Sequence, residues 1–137
     1  MKIDRITGNV LLSDEVLGPA LTSELCERSP IGFRREFVNN SWETYRGRIK
    51  DSDGEFAVAI FVKNNRISEM HLAKIQGVGS WASWSEESEL QKQMEHNRIL
   101  KATLGAPPYH FSWGEVFSVY DSKSGASEII IRYAQNV

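Results

Sequence analysis

The chain has 137 residues, 41% hydrophobic and 25% charged, with a formal net charge of −2 from 16 basic and 18 acidic side chains. That size and mixture suit one domain around one core, burying roughly two thirds of the unfolded surface, and exclude a wholly disordered chain. The charge balance argues against a general nucleic-acid binder, since the longest basic stretches are Arg34-Arg35 and the alternating Arg46, Arg48 and Lys50, which leave room only for a local anion site.

A single cysteine, Cys26, rules out an intramolecular disulfide and points to a reducing compartment. The opening Met1-Lys2-Ile3-Asp4-Arg5 lacks the basic-then-apolar layout of a signal peptide. No apolar run approaches the ~20 residues that span a bilayer. Cytoplasmic residence, without a membrane partner, is the expectation.

Residues 2–6 and 9–12 alternate weakly about Thr7-Gly8 and predict short strands or a hairpin. Gly18-Pro19 opens a turn, and residues 21–28 predict a short helix stopped before Pro30. Residues 33–38 read as a strand ended by Asn39-Asn40, and residues 42–50 as the next. Asp51-Ser52-Asp53-Gly54 is a turn, because Asp and Gly tolerate the backbone angles of tight turns. Residues 55–63 place Phe56, Val58, Ile60 and Val62 on one face and Ala57, Ala59 and Phe61 on the other, predicting a central strand covered on both sides. Asn64-Asn65 predicts a two-residue hairpin leading into a partner strand over 66–75, closed by Gln76-Gly77-Val78-Gly79.

A long helix is expected from Ser83 or Ser85 to Leu104, opened by the capping pattern Ser83-Trp84-Ser85-Glu86. Glu86, Glu87 and Glu89 suit its positive end. Leu90, Met94, Leu100 and Leu104 make the predicted buried stripe, with Asn97 inside it as a polar pin and Ile99 opposite. Gly105 and Pro107-Pro108 stop the helix. Residues 109–120 read as one strand with a bulge at Gly114, turning at residues 121–126 into a last strand over 128–134. The expected architecture is α+β: an antiparallel sheet of about five or six strands with one long helix on one face, in a single domain over residues 1–137.

No catalytic, metal or cofactor signature stands out. Cys26 with His71, His96 or His110 would need hydrogen-bond contact to act as nucleophile and base, and a buried structural thiol is the simpler reading. His96 has Leu100 rather than a histidine four residues on, so the helix offers no paired metal ligands. Asp51, Asp53 and Glu55 fall in a hydrophilic turn where carboxylates are solvated, and Glu115 interrupts an aromatic run on a strand. Gly77-Val78-Gly79 is too short for a phosphate loop. Trp42, Trp81, Trp84 and Trp113 serve either as packing groups or as exposed anchors of the kind enriched in protein interfaces.

The layout over residues 55–134 also carries a likeness. Residues 56–61, then Arg66-Ile67 and Leu72, precede Trp81-Ala82-Ser83-Trp84-Ser85-Glu86. His96, Leu100 and Gly105 follow, then Trp113-Gly114-Glu115-Val116, residues 120–125 and the strand of Ile129, Ile130 and Ile131. This order resembles the cytoplasmic immunity proteins, small bacterial antidotes in polymorphic toxin systems. The resemblance implies a non-catalytic protein that binds one cognate toxin and blocks it. Candidate partner-binding residues are Trp81, Trp84, Glu86, Glu87, Asp51 and Asp53, the acidic ones complementing a basic partner. Two other readings are a ligand-binding or enzymatic domain with a pocket between helix and sheet lined by Trp84, Trp113 and Tyr109, and an oligomer joined through a strand edge at 128–133.

Overall fold

The computed structural model describes residues 1–75 and 85–135. A small antiparallel sheet opens the chain, in the order β1 (Lys2–Ile3), β2 (Val10–Leu12) and β3 (Glu15–Leu17). Alternation turns Val10, Leu12 and Leu17 into the core and leaves Leu11 and Val16 outside. Helix α1 (Ser23–Arg28) follows, its first turn capped by the Thr22 hydroxyl, which accepts from the Leu25 N–H at 3.3 Å.

The main sheet has seven antiparallel strands: β4 (Arg34–Asn39), β5 (Trp42–Asp51), β6 (Gly54–Lys63), β7 (Arg66–Lys74), β8 (Tyr109–Phe111), β9 (Gly114–Asp121) and β10 (Ala126–Tyr133). Their order is β4-β5-β6-β7-β10-β9-β8. The α+β class and the antiparallel sheet are as expected, but the sheet is larger than five or six strands and a second, three-stranded sheet accompanies it. The predicted bulged strand over 109–120 is in fact two strands, with Ser112 and Trp113 turning the chain between β8 and β9. At the Asn64-Asn65 hairpin both residues take positive φ, 51° and 62°, the backbone that lets a two-residue turn follow the twist of its strands.

Strand β10 pairs with β7 on one side and β9 on the other. Its backbone groups are therefore committed to the sheet, which overturns association through an edge at 128–133.

Helix α2 (Glu86–Leu104) lies over β7, β9 and β10. Ser85 caps it, accepting from the Ser88 N–H at 3.0 Å, while Ser83 and Trp84 lie outside the described residues, as does the closing turn at 76–79. Gly105 ends the helix with φ 84°, and its N–H reaches the Lys101 carbonyl at 2.9 Å.

The buried face of α2 is not the predicted stripe. Ile99, Leu100 and Leu104 are buried, but Leu90 is 42% and Met94 69% exposed, and Asn97 also faces outward. The helix is rotated by roughly one residue step, about 100°. Polar groups on the sheet meet the helix in this seating. The Lys74 N–H donates to His96 Nε2 at 3.0 Å, and the Ser127 hydroxyl donates to the Glu89 carbonyl. This seating places the His96 ring where it accepts from the Lys74 N–H and the main-chain carbonyl of residue 89 where it accepts from the buried Ser127 hydroxyl.

His96 makes stability acid-sensitive. Burial first, and then the nearby Lys92 and Lys74 charges, push its pKa down to about 4. An unfolded histidine titrates near ~6.5, so the unfolded chain takes up the proton first. The contribution is complete above that value and is lost as pH falls through the folded one, by at most ~3 kcal/mol. Denaturant midpoints at pH 7 and pH 4.5 check the sign: a His96→Gln variant, weaker at pH 7, is expected to lose less on acidification than the parent chain.

Candidate functional site

Among the described residues, the hydrophobic core lies on one face of the main sheet. Phe56, Val58, Ile60 and Val62 are buried in one core cluster with residues of α2, α1 and the small sheet, as their alternation requires. The opposite face, predicted to be covered as well, is open: Ala57 and Phe61 are only partly buried there, although Ala59 is at 6%.

Strand register organises this open face into rows. Arg46, Ala59, His71 and Ile130 stand side by side across β5, β6, β7 and β10. In the next row Arg48 faces Ala57, which faces Ala73. Alanine is the smallest side chain a strand can carry without giving up its Cβ. Three of them at neighbouring positions create a depression of about 670 Å³ between longer charged residues. Arg34, Arg46 and Arg48 stand on one side and His71 and Glu128 on the other.

The basic side is short of carboxylates. Glu36 serves two guanidinium groups, 2.7 Å from Arg34 Nη2 and 2.7 Å from Arg46 Nε. Hydrogen bonding from Arg34, more than the neighbouring charges, holds the Glu36 carboxyl below its usual range. Arg48 meets Glu55 only at 3.8 Å, outside hydrogen-bond reach, and is 70% exposed.

The other side is balanced. His71 Nδ1 lies 2.8 Å from Glu128 and Nε2 2.9 Å from Glu69, whose other oxygen accepts from Arg132 Nε at 2.8 Å. Both ring nitrogens face carboxylates, so both are best satisfied as donors in the imidazolium. Burial alone would lower the His71 pKa, but hydrogen bonds to Glu128 and Glu69 outweigh it and raise it. The Phe61 ring packs against the imidazole at 4.7 Å.

No family model, no curated protein and no solved structure matches the chain.

The candidates named from sequence fall elsewhere. Asp51 and Asp53 sit at the β5–β6 turn, where their carboxylates lie 3.1 and 2.7 Å from the Met1 amino group. Asp51 also accepts from the Ser13 N–H at 3.0 Å, and its side chain is only 10% exposed, so it is not the solvated turn residue expected. Burial opposes ionisation of Asp51, yet the hydrogen bonds from Ser13, the amino terminus and Ser52 hold its carboxyl well below the usual range. Glu86 and Glu87 are exposed in the first turn of α2. Trp81 and Trp84 lie outside the described residues.

Trp113 clasps the chain start to the sheet. Its indole N–H donates to the Arg5 carbonyl at 2.9 Å, and its ring stacks on Phe111 with centroids 5.0 Å apart. Tyr109 is buried and donates to the Gly105 carbonyl at 2.9 Å. Glu115 lies 3.2 Å from His110 across β8 and β9.

Cys26 is fully buried, and burial, followed by the Glu43 and Glu27 charges, pushes its thiol up to about 11. That is the opposite of an activated nucleophile. A thiol-reactive dye at pH 8 is expected to leave the native protein unlabelled and to modify one thiol after denaturation; fast native labelling would contradict this placement. Among the described residues, no three His, Cys, Asp or Glu side chains cluster as a metal site, and no helix is long and apolar enough to cross a membrane.

The sequence singled out Arg34, Arg46 and Arg48 as basic stretches with room for a local anion site, but did not join them to Ala57, Ala59, Ala73, His71 and Glu128, each of which looks ordinary alone. The one available signal was the pairing of small Ala57 and Ala59 with the alternating Arg46 and Arg48, which becomes a site only when register sets them side by side.

Proposed function

We propose that the chain is a non-catalytic protein-binding module that occludes a cognate partner, in the immunity-type reading a bacterial toxin, and that it does so with the open face of the seven-stranded sheet. One observation carries the proposal: among the described residues, one face of the sheet packs into the core shared with α2, α1 and the small sheet, whereas the opposite face presents charged side chains around a concave alanine floor. Alternating charge sets register and excludes wrong partners, which is what a dedicated inhibitor needs. The buried, unactivated Cys26 fits a role without covalent chemistry.

A second reading, a small-ligand or enzymatic site, draws on one feature of the same place. Arg46, Arg48, His71 and Glu128 converge on a single depression, although on the open face rather than between helix and sheet.

Affinity capture of the tagged protein from cells expressing toxin modules, followed by mass spectrometry, tests the main reading when run beside two variants. A stoichiometric partner held by the parent protein and by Glu86→Arg/Glu87→Arg, but lost from Arg46→Glu/Arg48→Glu, supports open-face binding. Equal retention by Arg46→Glu/Arg48→Glu counts against that face. Loss from the α2 variant alone would move the interface to the helix start. No protein partner, together with a small molecule found by native mass spectrometry, would favour the second reading.

A further inference from the structure

The depression on the open face has an uneven charge supply, and this specifies what enters it. Three guanidinium groups, Arg34, Arg46 and Arg48, share Glu36 and a distant Glu55, whereas Glu128 is engaged by His71 and Glu69 by both His71 and Arg132. The basic side therefore holds unspent donor capacity, and the acidic side does not. Each guanidinium carries five donors in a planar fork that matches a carboxylate. Arg48 is the most available of the three to a ligand, since its nearest carboxylate stands at 3.8 Å. Below it, Ala57 and Ala73 leave space for a side chain to descend beside the guanidinium.

We infer that this depression receives an acidic side chain, aspartate or glutamate, from an acidic segment of a protein partner, with Arg48 and Arg46 as the groups that hold its carboxylate. The inference rests on the open-face reading and adds the chemistry of the partner. It assigns the chain a basic receptor patch despite its overall charge of −2. It also differs from an interface built on Asp51, Asp53, Glu86 and Glu87, which would need a basic partner. An exposed Arg–carboxylate pair is individually weak, so a single carboxylate is expected to bind only at millimolar concentration. Several carboxylates on one strand gain from multivalency and from charge steering.

The test uses the protein alone, so that it can fail independently of any partner search. Capped hexaglutamate, hexaglutamine and hexalysine peptides, and free succinate, are titrated into ¹⁵N-labelled protein at low salt, and backbone amide shifts are followed. Hexaglutamate is expected to move the amides of residues 46–48, 57–59 and 71–73, with roughly fivefold or greater weakening in Arg48→Gln and in Arg46→Gln. Both variants sit on an exposed face, and an unchanged amide spectrum elsewhere shows that they fold. Shifts caused by hexalysine instead would reverse the sign of the site and overturn the inference. So would hexaglutamate shifts that persist in the Arg46→Gln/Arg48→Gln double variant, or their absence from the parent protein. Succinate binding as tightly as hexaglutamate would assign the site to a free small anion and overturn the acidic-segment assignment. If hexaglutamate fails while a captured partner still needs Arg46 and Arg48, only the acidic chemistry is wrong; if no partner needs the face, the open-face reading itself falls.

Discussion

Replacing Gly114 with alanine is expected to be among the most damaging single changes in this chain. A Cβ at that position would stand 1.9 Å from the Arg132 carbonyl oxygen and 3.0 Å from the Tyr133 Cα. Neither atom has room to yield, because Tyr133 pairs with Gly114 and Arg132 with Glu115 in the β9–β10 ladder. The backbone at Gly114 also takes φ 150°, a region that side chains with a Cβ rarely adopt. Steric overlap with fixed backbone and dihedral strain act together, at ~1–3 kcal/mol each. A loss of about 3–5 kcal/mol follows, a large part of the 5–15 kcal/mol that holds a typical domain. Urea unfolding of Gly114→Ala should show a much lower midpoint, or no folded state. A midpoint within error of the parent chain would mean that the two-strand arrangement of β8 and β9 is wrong.

Truncating Leu100 is the second large effect, and its contrast with Leu90 and Met94 separates two pictures of the long helix. Leu100 is fully buried between α2 and the sheet, so Leu100→Ala loses transfer free energy and leaves a cavity, together ~2–5 kcal/mol. Leu90 and Met94 point to solvent, and their alanine variants are expected to stay within about 0.5 kcal/mol of the parent. Alanine even has the higher helix propensity. If Met94→Ala instead proved as costly as Leu100→Ala, the helix would be seated on the Leu90–Met94 stripe that its sequence suggests. Denaturant midpoints of the three variants, measured side by side, decide this.

Those two variants mark where local pattern stopped being informative. The helix itself was legible: serine before a run of glutamates, and Gly105 before Pro107, set its ends through local hydrogen bonding and backbone freedom. Its rotation was not. The apolar residues of α2 are few, and its seating goes with hydrogen bonds from distant strands, a backbone N–H to His96 and a serine hydroxyl to the main-chain carbonyl of residue 89. The Gly114 region misled for a related reason. A change of alternation reads equally well as a bulge or as a tight turn, and pairing with residue 133 is what separates them.

The candidate site was less legible than the fold. Asp51 and Asp53 looked like free acids because a turn rich in Asp and Gly is normally solvated, yet the Met1 amino group and the Ser13 N–H come to them from the chain start. His71, considered only as a base for Cys26, gave no signal of its carboxylate pairing. Its two carboxylate partners come from its own strand and from β10, whose place beside β7 depends on a connection running through the whole of α2.

By itself the sequence determined the class, the hairpin at Asn64-Asn65, the helix ends and the grouping of Phe56, Val58, Ile60 and Val62 on one strand face, because these follow from backbone geometry and alternation within a few residues. Only the tertiary structure decided the strand order, the rotation of α2, the insertion of β10 into the sheet interior and the opening of one sheet face. Those choices are made by pairings between residues tens of positions apart, whose energies depend on which partner arrives. The alanine floor and the arginines around it belong to that second class: no residue there is unusual until register places Arg48, Ala57 and Ala73 in one row.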